Sequence, residues 1–163
     1  MPIIEVPWVK LPKSKFEQLK NGMSGVIFGI SPEYVAKILY SKGKEEYNLR
    51  DDEKALDELK HEFDICHKLY KNNVGNVPKP LGIERLEIYE RAYYSFIMEY
   101  IHLPRGDELE FLKLGKATNL VKEEVDKAMD IELLPGRDVL NPANFFYDST
   151  KDIVRIIDFG RWE

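Results

Sequence analysis

The residues from Asp51 to Lys71 constrain this chain most. Leu56, Leu59, Phe63, Cys66 and Tyr70 recur at the three-and-four spacing of one helical face, and a helix with such a stripe has to bury it against another element. Asp51 or Asp52 can cap its start, where acidic side chains also meet the positive end of the helix dipole. Asn72, Asn73 and Gly75 supply the stop, so the spacing predicts a helix ending near Lys71.

Strand-like runs flank that helix. Met23 to Ile30 and Glu33 to Tyr40 read as a hairpin with Ser31 and Pro32 in its turn. Beyond the helix, VPKPLGI begins a short strand, Ile83 to Tyr89 a fuller one, and AYYSFIMEYI a strongly apolar and aromatic one. From Asp107 to Met129 the spacing turns helical, with Leu109, Leu112, Leu120, Val121 and Val125 as expected core positions and Gly115 or Asn119 as points of interruption. The last section reads as a second hairpin, Phe145 to Tyr147 and Ile153 to Ile157, closed by the turn Asp148 to Asp152. No internal repeat or low-complexity block interrupts this order.

Composition sets the class. With 163 residues the chain can build one domain with a sizeable core, and 44% hydrophobic with 33% charged residues is the balance of a globular chain. A formal charge of -5 argues against general nucleic-acid binding, which needs a basic surface. No apolar run approaches the roughly 20 residues that span a bilayer, and MPIIEVPWVK lacks the features of a secretory signal, so a cytoplasmic protein is expected. The single cysteine, Cys66, excludes an internal disulfide and fits the helix stripe as a small core residue. His61, Cys66 and His67 share a helix at spacings that do not converge on a zinc ion. Trp8 and Trp162 are expected to pin the chain ends to the core.

Pairing the terminal hairpin brings the start of one strand and the end of the other to an open mouth, where Asn144 and Asp158 become neighbours. An amide oxygen and a carboxylate are hard ligands suited to Mg²⁺. Asn and Asp also end strands because they favour turns, so the hairpin alone leaves both readings open. The literal DFG at Asp158 to Gly160, with the PxN of Pro142 and Asn144 before it, resembles the metal-binding half of the protein-kinase superfamily. Other parts follow in order. YVAKILY resembles the lysine strand, with Lys37 the only charge from Val35 to Tyr40. NGMSGVIFGI resembles a degenerate phosphate-covering loop through Gly22, Gly25 and Gly29, and YYSFIMEYI resembles the hinge.

The resemblance implies an α+β, protein-kinase-like fold over 1–163: an antiparallel N-lobe sheet with one helix and the hinge over 1–101, and a much reduced helical C-lobe over 102–163 ending in a β-hairpin. It implies binding of ATP and Mg²⁺, with Lys37 on the phosphates and Glu62 as its helix partner, Glu58 being the alternative. Met98 would be the gatekeeper, the Glu99 carbonyl and Ile101 amide would meet adenine, and Asn144 and Asp158 would hold metal. Asp138 in GRDVLNPAN is the candidate base. It departs from the family pattern, since Gly136 stands for a histidine and Asp138 precedes Asn144 by six positions rather than five. The sequence ends three residues after Gly160, without the segment that follows DFG in protein kinases. The small RIO and Bud-type kinases and the aminoglycoside phosphotransferases are similar in lacking a standard one, and VPKPLG resembles a segment of such compact relatives. Apolar surface on the reduced lobe is expected to be covered by a second copy or a partner protein. The implied activity is γ-phosphoryl transfer to a hydroxyl of a protein, the chain itself included. The alternatives are a nucleotide-binding regulatory module and a small-molecule phosphotransferase.

Overall fold

The structure, a computed structural model, describes residues 9–10, 17–21, 25–42, 47–88 and 90–163. Gly22 and Trp8 lie outside these residues. The fold is mixed α+β, and the chain divides into two compact units, 1–63 with 80–100 and 64–79 with 101–163.

The first unit is a mostly antiparallel sheet. Its centre is made by β3 (Gly25–Gly29), β4 (Tyr34–Lys42), β6 (Pro80–Ile88) and β7 (Arg91–Glu99), in the spatial order β6, β7, β4, β3. The short strands β1 (Val9–Lys10), β2 (Glu17–Asn21) and β5 (Tyr47–Leu49) add to β6, β3 and β4 respectively, β1 in parallel. The expected β3–β4 hairpin forms because the Ser31 hydroxyl accepts hydrogen bonds from the Glu33 and Tyr34 amides at 3.2 and 3.1 Å. Side chains of β4 alternate between the two faces, so Ala36, clustered with Leu86 and Ile97, and Ile38, clustered with Ile88 and Tyr93, share one side of the sheet while Lys37 between them points to the other. The strand starts expected on either side of Gly82 are one strand, because a register shift between Pro80 and Gly82 absorbs the irregularity without ending the pairing with β7.

Helix α1 (Glu53–Lys71) ends where its stop signals predict. Asp52 is its cap: Oδ1 accepts from the Ala55 amide at 2.8 Å, and Arg50 holds the same carboxylate through two hydrogen bonds of 3.1 Å. Leu56, Leu59, Phe63 and Cys66 are buried as expected, but Tyr70 is 42% exposed and Leu69 is buried instead. The reason lies in the neighbours. From Asp64 onward the helix belongs with the residues of the second unit, where Cys66 donates its thiol hydrogen to the Pro78 carbonyl at 3.3 Å, and Ile65 and Leu69 become the inward residues.

In the second unit, α2 (Phe111–Asp130) lies against β9 (Ile153–Ile156), which pairs with β8 (Phe145–Asp148). The helix begins four residues later than the spacing suggests, after a 3-10 turn at Gly106–Glu108, and Gly115 does not interrupt it. Its buried residues are Ala117, Val121 and Ala128, whereas Leu112 is 80% exposed. Small side chains face inward because they let the helix approach its neighbours closely, which hydrophobicity ranked by size does not reveal. The hairpin turn is held by Asp148, whose Oδ1 accepts from the amides of Thr150 and Lys151. On its other edge, Ile156 donates to the Gly75 carbonyl at 3.0 Å and Arg155 donates to that of Asn76 at 2.8 Å. Among the described residues no helix is long and apolar enough to cross a membrane.

The Asp52 cap makes a pH-dependent contribution. The Arg50 guanidinium, and then the Ala55 amide, lower the Asp52 carboxyl from its ordinary 3.8 to about 2. The folded state therefore gains from the ionised group above pH 3.8 and loses that gain as pH falls through about 2. Thermal unfolding of the native protein and of Asp52→Ala is expected to show a constant difference in Tm at neutral pH that shrinks steadily between these two values.

Candidate functional site

A lysine buried in a strand has to meet an anion. Lys37 lies mid-strand in β4, paired with Ile27 of β3 and Phe96 of β7, and is 4% exposed. Its Nζ donates to Glu62 Oε1 at 2.6 Å, with Glu62 3% exposed. Glu62 is thus inside the buried arc of α1, with the aromatic pair Phe63–Phe96 close by at 5.6 Å between ring centroids. Glu58, one turn earlier, faces solvent and takes Arg50 at 2.7 Å, which leaves Glu62 as the partner. Gly25 makes the room: a Cβ there would stand 2.6 Å from Lys37 Cε and 3.3 Å from the Ile38 carbonyl oxygen.

The hinge candidates occupy the end of the same sheet. Met98 is buried and pairs with Val35 on one side and Pro80 on the other. Glu99, the last residue of β7, stands opposite Tyr34, and the Tyr100 amide donates to the Glu33 carbonyl at 2.8 Å. Ile101, in the second unit, is 8% exposed.

The remaining candidates all belong to the second unit. Three consecutive turns lead through the GRDVLNPAN segment: Val139 donates to Gly136, Asn141 to Asp138, and Asn144 to Asn141, at 3.1, 2.9 and 2.8 Å. Asn141 also caps the 3-10 turn Pro142–Asn144 through its side chain, which accepts from the Ala143 amide at 3.0 Å. Across these turns Asn144 Nδ2 reaches the Asp138 carbonyl at 3.0 Å, which leaves its Oδ1 as the acceptor end of the side chain. Gly106 lies beneath the turn, where a Cβ would come 2.5 Å from the Pro142 carbonyl oxygen.

At the hairpin mouth the Ile157 amide donates to the Asn144 carbonyl at 2.9 Å, so Asp158 follows directly on a residue paired with Asn144. Asp158 has φ +66°, a left-handed conformation that is unfavourable for a residue with a Cβ. Phe159, which follows it, and Trp162 are both buried and packed edge to face at 5.7 Å. The final residue is tied down by a reciprocal pair of backbone hydrogen bonds, Leu134 to Glu163 at 2.7 Å and back at 2.9 Å.

Asp138 is half-buried, and its two carboxylate oxygens differ. Oδ1 is buried and has no hydrogen-bond partner among the described residues, whereas Oδ2 lies 3.9 Å from Arg161 Nε. Sequence reasoning missed Arg161 because nothing in its spacing ties it to Asp138. Among the described residues no three His, Cys, Asp or Glu side chains converge as a metal cage. Asn144 and Asp158 offer an amide oxygen and a carboxylate, donor types that hard cations take.

The chain matches no family model and none of the curated proteins.

The ion pair itself generates a stability test. Glu62→Ala takes the carboxylate at 2.6 Å away from a buried ammonium group and is expected to lower unfolding free energy by about 3–5 kcal/mol in chemical denaturation. The double variant Lys37→Met with Glu62→Leu, which leaves no charge behind, should recover most of that loss.

Proposed function

We propose that the protein is a minimal kinase-like phosphotransferase that binds Mg·ATP and moves the γ-phosphoryl group to a hydroxyl, on a protein or on itself. The observation that carries this reading is the buried Lys37–Glu62 pair. Such a pair contributes little net stability, because the desolvation of two charges offsets most of their attraction. A lysine held by a carboxylate, beside a glycine that leaves room for its side chain, suits the binding of a phosphate.

The chain's other residues have matching roles. Asn144 and Asp158 would hold the magnesium ion, which when bound neutralises phosphate charge. The left-handed backbone of Asp158 and the hydrogen bond from the Asn144 side-chain amide to the Asp138 carbonyl would orient both ligands before any substrate arrives. Asp138 would accept the proton of the attacking hydroxyl. The α+β arrangement of hairpin, helix, strands, second helix and terminal hairpin is compatible with a kinase-like fold. Met98, Glu99 and Ile101 would border adenine, with backbone groups making the polar contacts.

A second reading, a nucleotide-binding regulatory module without transfer, is favoured by one observation: Asp138 Oδ1 is turned inward and buried. Titration with Mg·ATP and assay of γ-phosphate transfer separate the two. For the phosphotransferase, Asp138→Asn should leave the Kd for Mg·ATP within about twofold while lowering transfer by about 10²–10⁴-fold. Asp158→Ala should weaken Mg·ATP binding itself. Binding without any transfer or hydrolysis by the native protein would leave the regulatory module, and no binding at all would end both readings.

A further inference from the structure

The segment after Gly160 lies beside the Asp138 loop. Leu134 and Glu163 exchange both backbone hydrogen bonds, the pattern of an antiparallel pair. Two residues inward on each segment, Gly136 faces Arg161. A Cβ on Gly136 would stand 3.0 Å from Arg161 Cβ, 3.2 Å from its carbonyl carbon and 2.9 Å from Asp138 Oδ1. Both Asp138 oxygens are therefore bounded by this pair, Oδ1 by the bare Cα of Gly136 and Oδ2 by the Arg161 guanidinium at 3.9 Å.

We propose that Arg161 is a positioning residue for Asp138 and that Gly136 provides the space in which it acts. This rests on reading Asp138 as the group that receives the hydroxyl proton. A carboxylate oxygen buried without a donor is unfavourable, so the rotamer that places Oδ1 against Gly136 needs compensation. The charge of Arg161 beside Oδ2 supplies it. The result is a carboxylate with one oxygen facing inward and the other held on the Arg161 side, where a hydroxyl can approach. Gly136 stands where the kinase pattern has a histidine, and any side chain there would push Oδ1 out of its place or part the two paired segments. The tie between Leu134 and Glu163 keeps Arg161 in register, so that the end of the DFG segment orients the base as well as the metal ligand.

The test uses the full chain with Arg161→Ala, Arg161→Lys and Gly136→Ala. Three-bond couplings from the backbone nitrogen and carbonyl carbon to Asp138 Cγ, in uniformly ¹³C,¹⁵N-labelled protein, report its χ1 rotamer without any turnover. A single rotamer is expected in the native protein, averaged couplings in Arg161→Ala, a different rotamer in Gly136→Ala, and near-native couplings in Arg161→Lys. In phosphoryl transfer, Arg161→Ala should lower kcat by about tenfold or more with KM for ATP changed less than about twofold, and Arg161→Lys should restore most of it. Native-like couplings in Arg161→Ala overturn the proposal whatever the activity. Equal losses in kcat and in Mg·ATP affinity also overturn it, since they indicate a structural role. Altered couplings in a protein that binds Mg·ATP but transfers nothing support the positioning and reject the transfer reading alone.

Discussion

Burying the charge of Lys37 imposes conditions on everything around it. Its ammonium group is out of water, so a carboxylate must come to it, and the carboxylate must arrive from a helix that can be anchored at the right height. Asp52 sets that height by capping α1, and Leu59 and Phe63 hold the helix by their burial. The strand on the other side must then leave room, which it does at Gly25. A pair that contributes little net stability thus dictates the placement of a strand, a helix and a glycine.

The second unit solves a different problem, how to hold three polar side chains still on irregular backbone. Loops can position functional groups only when their own backbone hydrogen bonds are satisfied locally. The turns from Gly136 to Asn144 do this with consecutive short-range bonds, and the β8–β9 hairpin fixes the other side through Asn144 and Ile157. Phe159 and Trp162 bury the apolar side of the DFG segment, which lets Asp158 keep a backbone conformation that it would otherwise leave.

Much of this was legible in the chain. The α1 stripe, a cap at Asp51 or Asp52, the β3–β4 hairpin and the terminal hairpin follow from periodicity and turn chemistry, and the structure contains each of them, with Asp52 as the cap. The readings that differ share a cause. Tyr70 and Leu112 carry the right apolar character at the right spacing, yet both face outward, since burial depends on what lies opposite the helix. The alanines of α2 were overlooked because their value is closeness of approach, which is a property of two surfaces. At the candidate site the residue types were legible and their pairings were not. Arg161 carried no signal at all, because its relation to Asp138 exists only through the backbone pairing of Leu134 with Glu163.

The sequence by itself determined the element types, their order and the identities of the polar residues that stand out from apolar runs. Local periodicity and turn propensity act over a few residues, and these features need no more. Tertiary structure decided which glutamate meets Lys37, since Glu58 and Glu62 are one helical turn apart and periodicity does not separate them. It also decided that one oxygen of Asp138 faces Gly136 and the other Arg161. Both choices depend on distances of a few ångströms between residues remote in the chain, and such distances exist only once the backbone is packed.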